Sequence, residues 1–162
     1  MGDRLLTLPV TASVPVAGKR YELPVCYAPE FAPDGDWVGQ VCRLGADELV
    51  ELHTAVDYTV YFTGYRPGFS FLGPTHHRLR IGRRKSPRTA VPAGALGLAD
   101  RQTGIYPTVS PGGWQLIGNC PLSMITAGGN ARLEAGDRVR FVSISKDHHA
   151  ALLHGETEWK TA

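Results

Sequence analysis

Glycine and proline punctuate this chain so densely that long regular elements are ruled out over most of it. Of 162 residues, 19 are glycine and 12 are proline, and between Gly64 and Gly129 every run of eight contains at least one. Elements in that region have to be short and joined by tight turns. Such a pattern predicts short strands rather than helices. The candidates are Glu22 to Tyr27, Gly94 to Ala99, Gly104 to Tyr106, Trp114 to Ile117, Leu122 to Thr126 and Arg138 to Ile144. Arg4 to Val16 reads as further short strands broken by Pro9 and Pro15.

Ahead of this region the period is helical. Asp36 is placed to cap a helix with the apolar face Trp37, Val38, Val41 and Cys42, and Gly45 to stop it. A second helix starts at Ala46, with Asp47 and Glu48 in its first turn and Leu49, Val50 and His53 at helical spacing. The period then changes to two, with Val56, Tyr58, Val60 and Phe62 on one face. Many short strands and one helical pair make a mainly β fold, a closed or nearly closed barrel with a short helical hairpin. One domain is expected over 1–145, followed by a peripheral polar tail over 146–162.

Composition narrows the function classes. Apolar residues form 43% and charged ones 20% of the chain, with a net charge of +2. That balance is globular and does not argue for nucleic acid. Cys26, Cys42 and Cys120 lack CxxC spacing and read as free thiols in a reducing compartment, so a cytoplasmic location is expected. No apolar run reaches the roughly 18 residues of a membrane span. The adjacent pairs His76-His77 and His148-His149 diverge on a strand, and no metal site is expected.

Chemistry-bearing candidates are few. HRLRIGRRKSPR, His77 to Arg88, holds six cations without an acid, and reads as a solvated loop or as a grip for carboxylates or phosphates. His53 closes a helix and is a catalytic candidate or a histidine favoured by the helix dipole. Glu30 and Asp34 are loop carboxylates open to acid, base or ligand roles, with Asp34 equally a turn residue. Ser70, Ser86 and Ser110 lack a nucleophile-elbow context, and no phosphate-binding glycine motif is present.

Taken together, VYFTGYRPGFSFLG (Val60 to Gly73), RRKSPRTAVPAG (Arg83 to Gly94), QTGIYPTVSPGGWQLIG (Gln102 to Gly118) and AGDRVRF (Ala135 to Phe141) resemble one family. It is the family of 5-oxoprolinase B subunits, also called allophanate hydrolase subunit 1 or KipI-like. PVCYAPEFAPD and LHTAVDY match it as well, so the resemblance runs from about Leu23 to Ile144.

The resemblance implies a cyclophilin-like β-barrel working beside a C subunit of related architecture, and an A subunit. Together they would open 5-oxoproline to glutamate at the expense of ATP, bound somewhere in the complex. A similar pair forms the carboxyltransferase part of urea carboxylase. The KipI branch instead inhibits a histidine kinase. Members usually carry an additional N-terminal domain, expected to be absent here, where about twenty residues precede the match. Tyr65-Arg66 and Asp100 depart from the family pattern, the latter standing where Gly is usual.

The residues then sort into roles. Arg88, Gln102, Tyr106 and His53 are the catalytic candidates. Arg84, Phe69, Phe71, Thr103, Ser110 and Glu30 are candidates for holding a small-molecule substrate. The prolines and glycines of the Gln102 to Gly118 motif would fix loop geometry, whether to present polar groups or only to shape the barrel rim and a partner interface. Arg88 follows Pro87 and is expected to grip a planar anion bidentately, so that lysine there would lower activity while leaving folding nearly unchanged.

Overall fold

A computed structural model describes residues 18–155 together with 159 and 161. The chain runs through β1 (Arg20–Val25), α1 (Gly35–Cys42), α2 (Ala46–Thr54), β2 (Asp57–Thr63), β3 (Ser70–Gly73), β4 (Arg88–Val91), β5 (Ala95–Ala99), β6 (Gln102–Ile105), β7 (Ser110–Gly112), β8 (Gln115–Asn119), β9 (Arg138–Ser143) and α3 (Lys146–His154). Seven strands form one sheet in the order β1-β9-β2-β3-β6-β5-β8, and β4 pairs with β7 as a separate ribbon. β1 and β9 are parallel, and the remaining neighbours in the sheet are antiparallel. The two outer edges meet where Cys26 and Asn119 exchange backbone hydrogen bonds of 2.9 Å each. That bridge joins the two edge strands at one end and covers part of the edge that an open sheet would present. The mainly β barrel expected from the sequence is thereby present.

Alternation directs the strands. Tyr21, Leu23 and Val25 of β1 and Val139 and Phe141 of β9 point inward to one core with Tyr58, Val60, Leu96 and Leu98. All five residues of β5 are buried, because a second core of Phe69, Val91, Ala95, Ala99, Tyr106, Trp114 and Leu116 covers its other face. The period-two reading of β2 holds through Tyr58 and Val60 and fails at Phe62, which is 50% exposed. A β-bulge between Val60 and Phe62 inserts one residue and turns the phenyl ring outward.

The helical pair is present, with altered ends. Asp34, not Asp36, holds the N-cap position of α1, and no side-chain cap bond forms there. Arg43 ends α1 in the left-handed region, and Gly45 caps the start of α2 instead of stopping α1. Trp37 and Val41 lie exposed, while Val38 faces the barrel. The stretch read as a polar tail carries α3, whose cap Ser145 accepts a bond from the His148 backbone N–H.

Leu122 to Thr126 makes no strand, only a bridge between Ile125 and Ala131. The Gly/Pro-rich stretches that precede it in sequence supply β3, β4 and β7. Asp100 has φ 54, in the region where glycine moves freely and aspartate is among the better-tolerated alternatives. Arg4 to Val16 lies outside the described residues.

Candidate functional site

Three polar or aromatic centres gather the residues singled out in the sequence. The first is built on Asp34, at the entry to α1. Its Oδ2 accepts the Leu116 backbone N–H at 2.7 Å. Its Oδ1 accepts Arg84 Nη1 at 2.9 Å and Arg88 Nη2 at 2.8 Å. Burial alone would push this carboxyl up. Arg88, the Leu116 N–H and Arg84 outweigh it and hold the group below the usual carboxylate range.

Arg88 is therefore not the exposed loop charge expected. It lies on β4 with its side chain 23% exposed, tied to a carboxylate with 6% exposure, and its Nη1 is buried without a partner among the described residues. Replacing it has to affect folding, because a buried carboxylate would lose a partner.

An open groove of about 630 Å³ borders this centre. One wall is α1, through Trp37 and Val41, and the other is the loop Arg83 to Ser86. Gln115 contributes to the lining from β8. Its Nε2 donates to the Gly82 carbonyl at 3.0 Å, and its buried Oε1 has no partner among the described residues. Arg83 and Lys85 have no acidic partner among the described residues.

The second centre is His53, fully buried inside the barrel. Thr103 Oγ1 donates its single proton to the Gly97 carbonyl at 2.9 Å, so toward His53 Nε2, 3.0 Å away, it can only accept. Nε2 carries the proton, and Nδ1 accepts from the Tyr27 hydroxyl at 2.8 Å. The ring stacks on Phe141 with centroids 4.9 Å apart. Burial lowers its pKa to about 3. A neutral, sealed imidazole neither reaches substrate nor carries charge for a helix dipole. This corrects both readings of His53, and Thr103 is its partner rather than a substrate contact.

The third centre is aromatic. Phe69 meets Tyr106 and Trp114 edge-on at 5.3 and 5.4 Å, and Phe71 stacks on exposed Phe62 at 4.3 Å. Gly112 packs against Tyr106 so closely that a Cβ there would overlap its ring and hydroxyl. Tyr106 is buried, and burial raises its phenol above the ordinary value. It is thus a packing group rather than an accessible acid or base. Ser110 is buried with an Oγ unpartnered among the described residues, as is Ser70. Gln102 is half-buried at the start of β6.

Glu30 stands apart, exposed and paired with Lys146 of α3 at 3.0 Å. The ten candidates thus do not converge; of them only Arg84 lines the groove, with Arg88 behind it on Asp34. Sequence reasoning missed Trp37 and Gln115 as groove residues. The signal for Gln115 was an amide set between Trp114 and Leu116 in a stretch otherwise apolar through Ile117. Among the described residues no cluster of His, Cys, Asp and Glu could hold a metal.

A mainly β barrel with a helical hairpin, a buried His53 and a cationic, partly apolar groove belongs to the class of β-barrel domains carrying a short helical hairpin. Within it, the chain belongs to the family described as carboxyltransferase domain, subdomain C and D, whose model matches residues 5–132. It is 48% identical over 132 residues to the B subunit of 5-oxoprolinase from Bacillus subtilis (strain 168), covering 80% of this chain and 55% of that protein. The corresponding protein of Escherichia coli O157:H7 is 45% identical over 123 residues, 75% of this chain and 56% of its own length. The chain thus spans about half the length of the curated relatives it matches.

Among solved structures, a conserved uncharacterized protein from Pyrococcus horikoshii superposes with a TM-score of 0.77 at 41% identity, over 81% of this chain and 62% of that one. Kluyveromyces lactis urea carboxylase shares the fold, with a TM-score of 0.72 at 14% identity over 90% of this chain and 16% of the enzyme.

Proposed function

We propose that this chain is a non-autonomous subunit of an ATP-dependent amide-bond enzyme, 5-oxoprolinase, which opens 5-oxoproline to glutamate. It works beside a C subunit of related barrel architecture, and with an A subunit. The observation that carries this reading is the 48% identity to a 5-oxoprolinase B subunit over 132 residues. The chemistry of the chain is consistent with it. His53 is sealed, Tyr106 is packed, and the accessible charged groups of the groove beside Asp34 are cations, which bind and orient anions rather than transfer protons. Arg84, held by Asp34, presents a guanidinium fixed in direction, so it can position a carboxylate or phosphate without losing much side-chain freedom. Three free thiols accord with a cytoplasmic setting, and no described helix is long and apolar enough to cross a membrane.

Co-expression with candidate C and A subunits, followed by assay of ATP-dependent glutamate release from 5-oxoproline, tests the reading. The assembled complex is expected to be active and the chain alone inert. An assembled complex that ignores 5-oxoproline, or turnover by the isolated chain, would overturn it.

A further inference from the structure

Two of the sequence motifs, Val60 to Gly73 and Gln102 to Gly118, meet on one side of the barrel and leave several apolar side chains uncovered. The bulge in β2 turns Phe62 outward, where it stacks on Phe71 at 4.3 Å. Tyr61 lies over Gly73, so closely that a Cβ there would stand 2.8 Å from its ring. Tyr65 meets Phe69 edge-on at 5.8 Å and donates its hydroxyl proton to the Pro111 carbonyl at 2.6 Å, beside Val109 in sequence. Tyr61, Phe62, Tyr65 and Val109 are 46%, 50%, 60% and 63% exposed. Four of the eight large apolar side chains that stand exposed among the described residues thus gather here. That is a patch, not the single scattered exposures of an ordinary surface. Its parts are also held in place. Tyr65 has φ 70, a region that a bulky residue enters only when its surroundings impose it, and the bond to Pro111 fixes its ring. Aromatics held this way lose little freedom on association.

Charge narrows what covers this face. The segments Val60 to Gly73 and Pro107 to Gly113 carry Arg66 and no acid. Arg66 lies over the Tyr65 ring at 5.8 Å, and the Arg101 backbone lies against Gly73 beside Tyr61. Both arginines are exposed, and neither has an acidic partner among the described residues. A second copy meeting this face across a two-fold axis would bring cations against cations. An apolar surface rimmed by carboxylates complements both the centre and the rim. We propose that this aromatic face is where the chain docks on the C subunit, against an apolar patch of that subunit edged by Asp or Glu. Phe62 and Tyr65 are its anchors, since large aromatic rings carry most of the energy of such contacts. The choice of the C subunit rests on the enzymatic reading above, whereas the chemistry required of the partner does not.

The full chain and its variants are titrated with the C subunit by calorimetry, and their mass in isolation is read by sedimentation. The wild-type chain is expected to be a monomer alone and to bind the C subunit in a complex that salt weakens. Phe62→Asp and Tyr65→Ala should each weaken binding about 100-fold, and Arg66→Glu about tenfold. Leu153→Asp, at a comparably exposed apolar position on α3, should leave binding unchanged. Thermal unfolding checks that the variants fold, and Arg66→Glu, at the exposed rim, decides where an aromatic variant does not. Unchanged binding by the folded variants would overturn the proposal, as would an equal loss in Leu153→Asp. A wild-type chain that dimerises alone and ceases to as Phe62→Asp would also overturn it, assigning the face to a second copy. Failure of the wild-type chain to bind the C subunit sinks both this proposal and the enzymatic reading. If an active complex forms and Phe62→Asp neither loosens nor slows it, the face is wrong and the enzymatic reading survives. If the complex forms through this face yet ignores 5-oxoproline, the face stands and that reading falls.

Discussion

His53 and Asp34 are both buried, both hydrogen-bonded to side chains far along the sequence, and chemically opposite. The imidazole is neutral, enclosed by Phe141 and Tyr58, and satisfied by two hydroxyls. The carboxylate is ionised and held by two guanidinium groups, one of which, Arg84, lines a groove. Burial has one effect on each: it disfavours charge. At His53 nothing opposes it. At Asp34 the arginines and the Leu116 N–H do, and the charge survives. A titratable residue in a core thus becomes a packing element or an electrostatic anchor according to what its neighbours carry.

Removing the anchor should produce the largest effect. Asp34→Ala leaves Arg84 and Arg88 facing each other and the Leu116 N–H unpaired. It should cost about 3 kcal/mol, or roughly 10 °C in Tm for a chain this size, read by thermal unfolding. A change within error would mean that the pairs are idle and the contrast with His53 is false.

His53→Leu should cost about 2 kcal/mol, chiefly from the orphaned Tyr27 hydroxyl. It also carries a pH signature. The folded pKa of about 3 lies below the ordinary 6.5, so the unfolded chain binds the extra proton. Stability from this group is complete above pH 6.5 and is lost as pH falls toward 3, at up to about 1.4 kcal/mol per pH unit. The variant should flatten that slope, leaving the part due to His149, whose pKa is also lowered by burial, and, at the acid end, that of Glu30, held low by its backbone hydrogen bond and Lys146. Asp34 acts in a different window, since its lowered pKa removes stability only as pH falls below the unfolded carboxylate value. Urea titrations from pH 4.5 to 7.5 separate the two, and an unchanged slope in the variant would refute the assignment of His53.

A smaller effect is expected for Arg88→Lys. Lysine keeps the charge but loses the directed fork, so about 1 kcal/mol should be lost, seen as a modest drop in Tm. Full wild-type stability would return Arg88 to the status of an exposed loop charge. Ser110→Ala marks the floor of the scale. Its hydroxyl makes no bond among the described residues, so the change should fall within about 0.5 kcal/mol of neutral. A clear loss would place an unseen partner there.

The alternation of β1 and β9, the helical pair and the frequency of turns were legible because each depends on residues a few positions apart. Periodicity is a local property of backbone geometry, and the chain carries it without knowing its neighbours. The exposed side of α1 was not legible in the same way. Trp37, Val38 and Val41 look alike as apolar residues, and only the packing of the hairpin on the barrel decided that Val38 is covered and the other two are not.

What the tertiary structure alone decided is partnership across the chain. β1 pairs in parallel with β9 through Tyr21 and Val139, and Cys26 closes the barrel on Asn119. Asp34 finds Leu116 and Arg88, and His53 finds Thr103. By itself the sequence determined which segments could be strands or helices and which residues could carry charge. It did not determine which charges would persist, because ionisation, accessibility and cost depend on the dielectric and the partners at one point in space. Those are set by segments that meet only when the barrel closes.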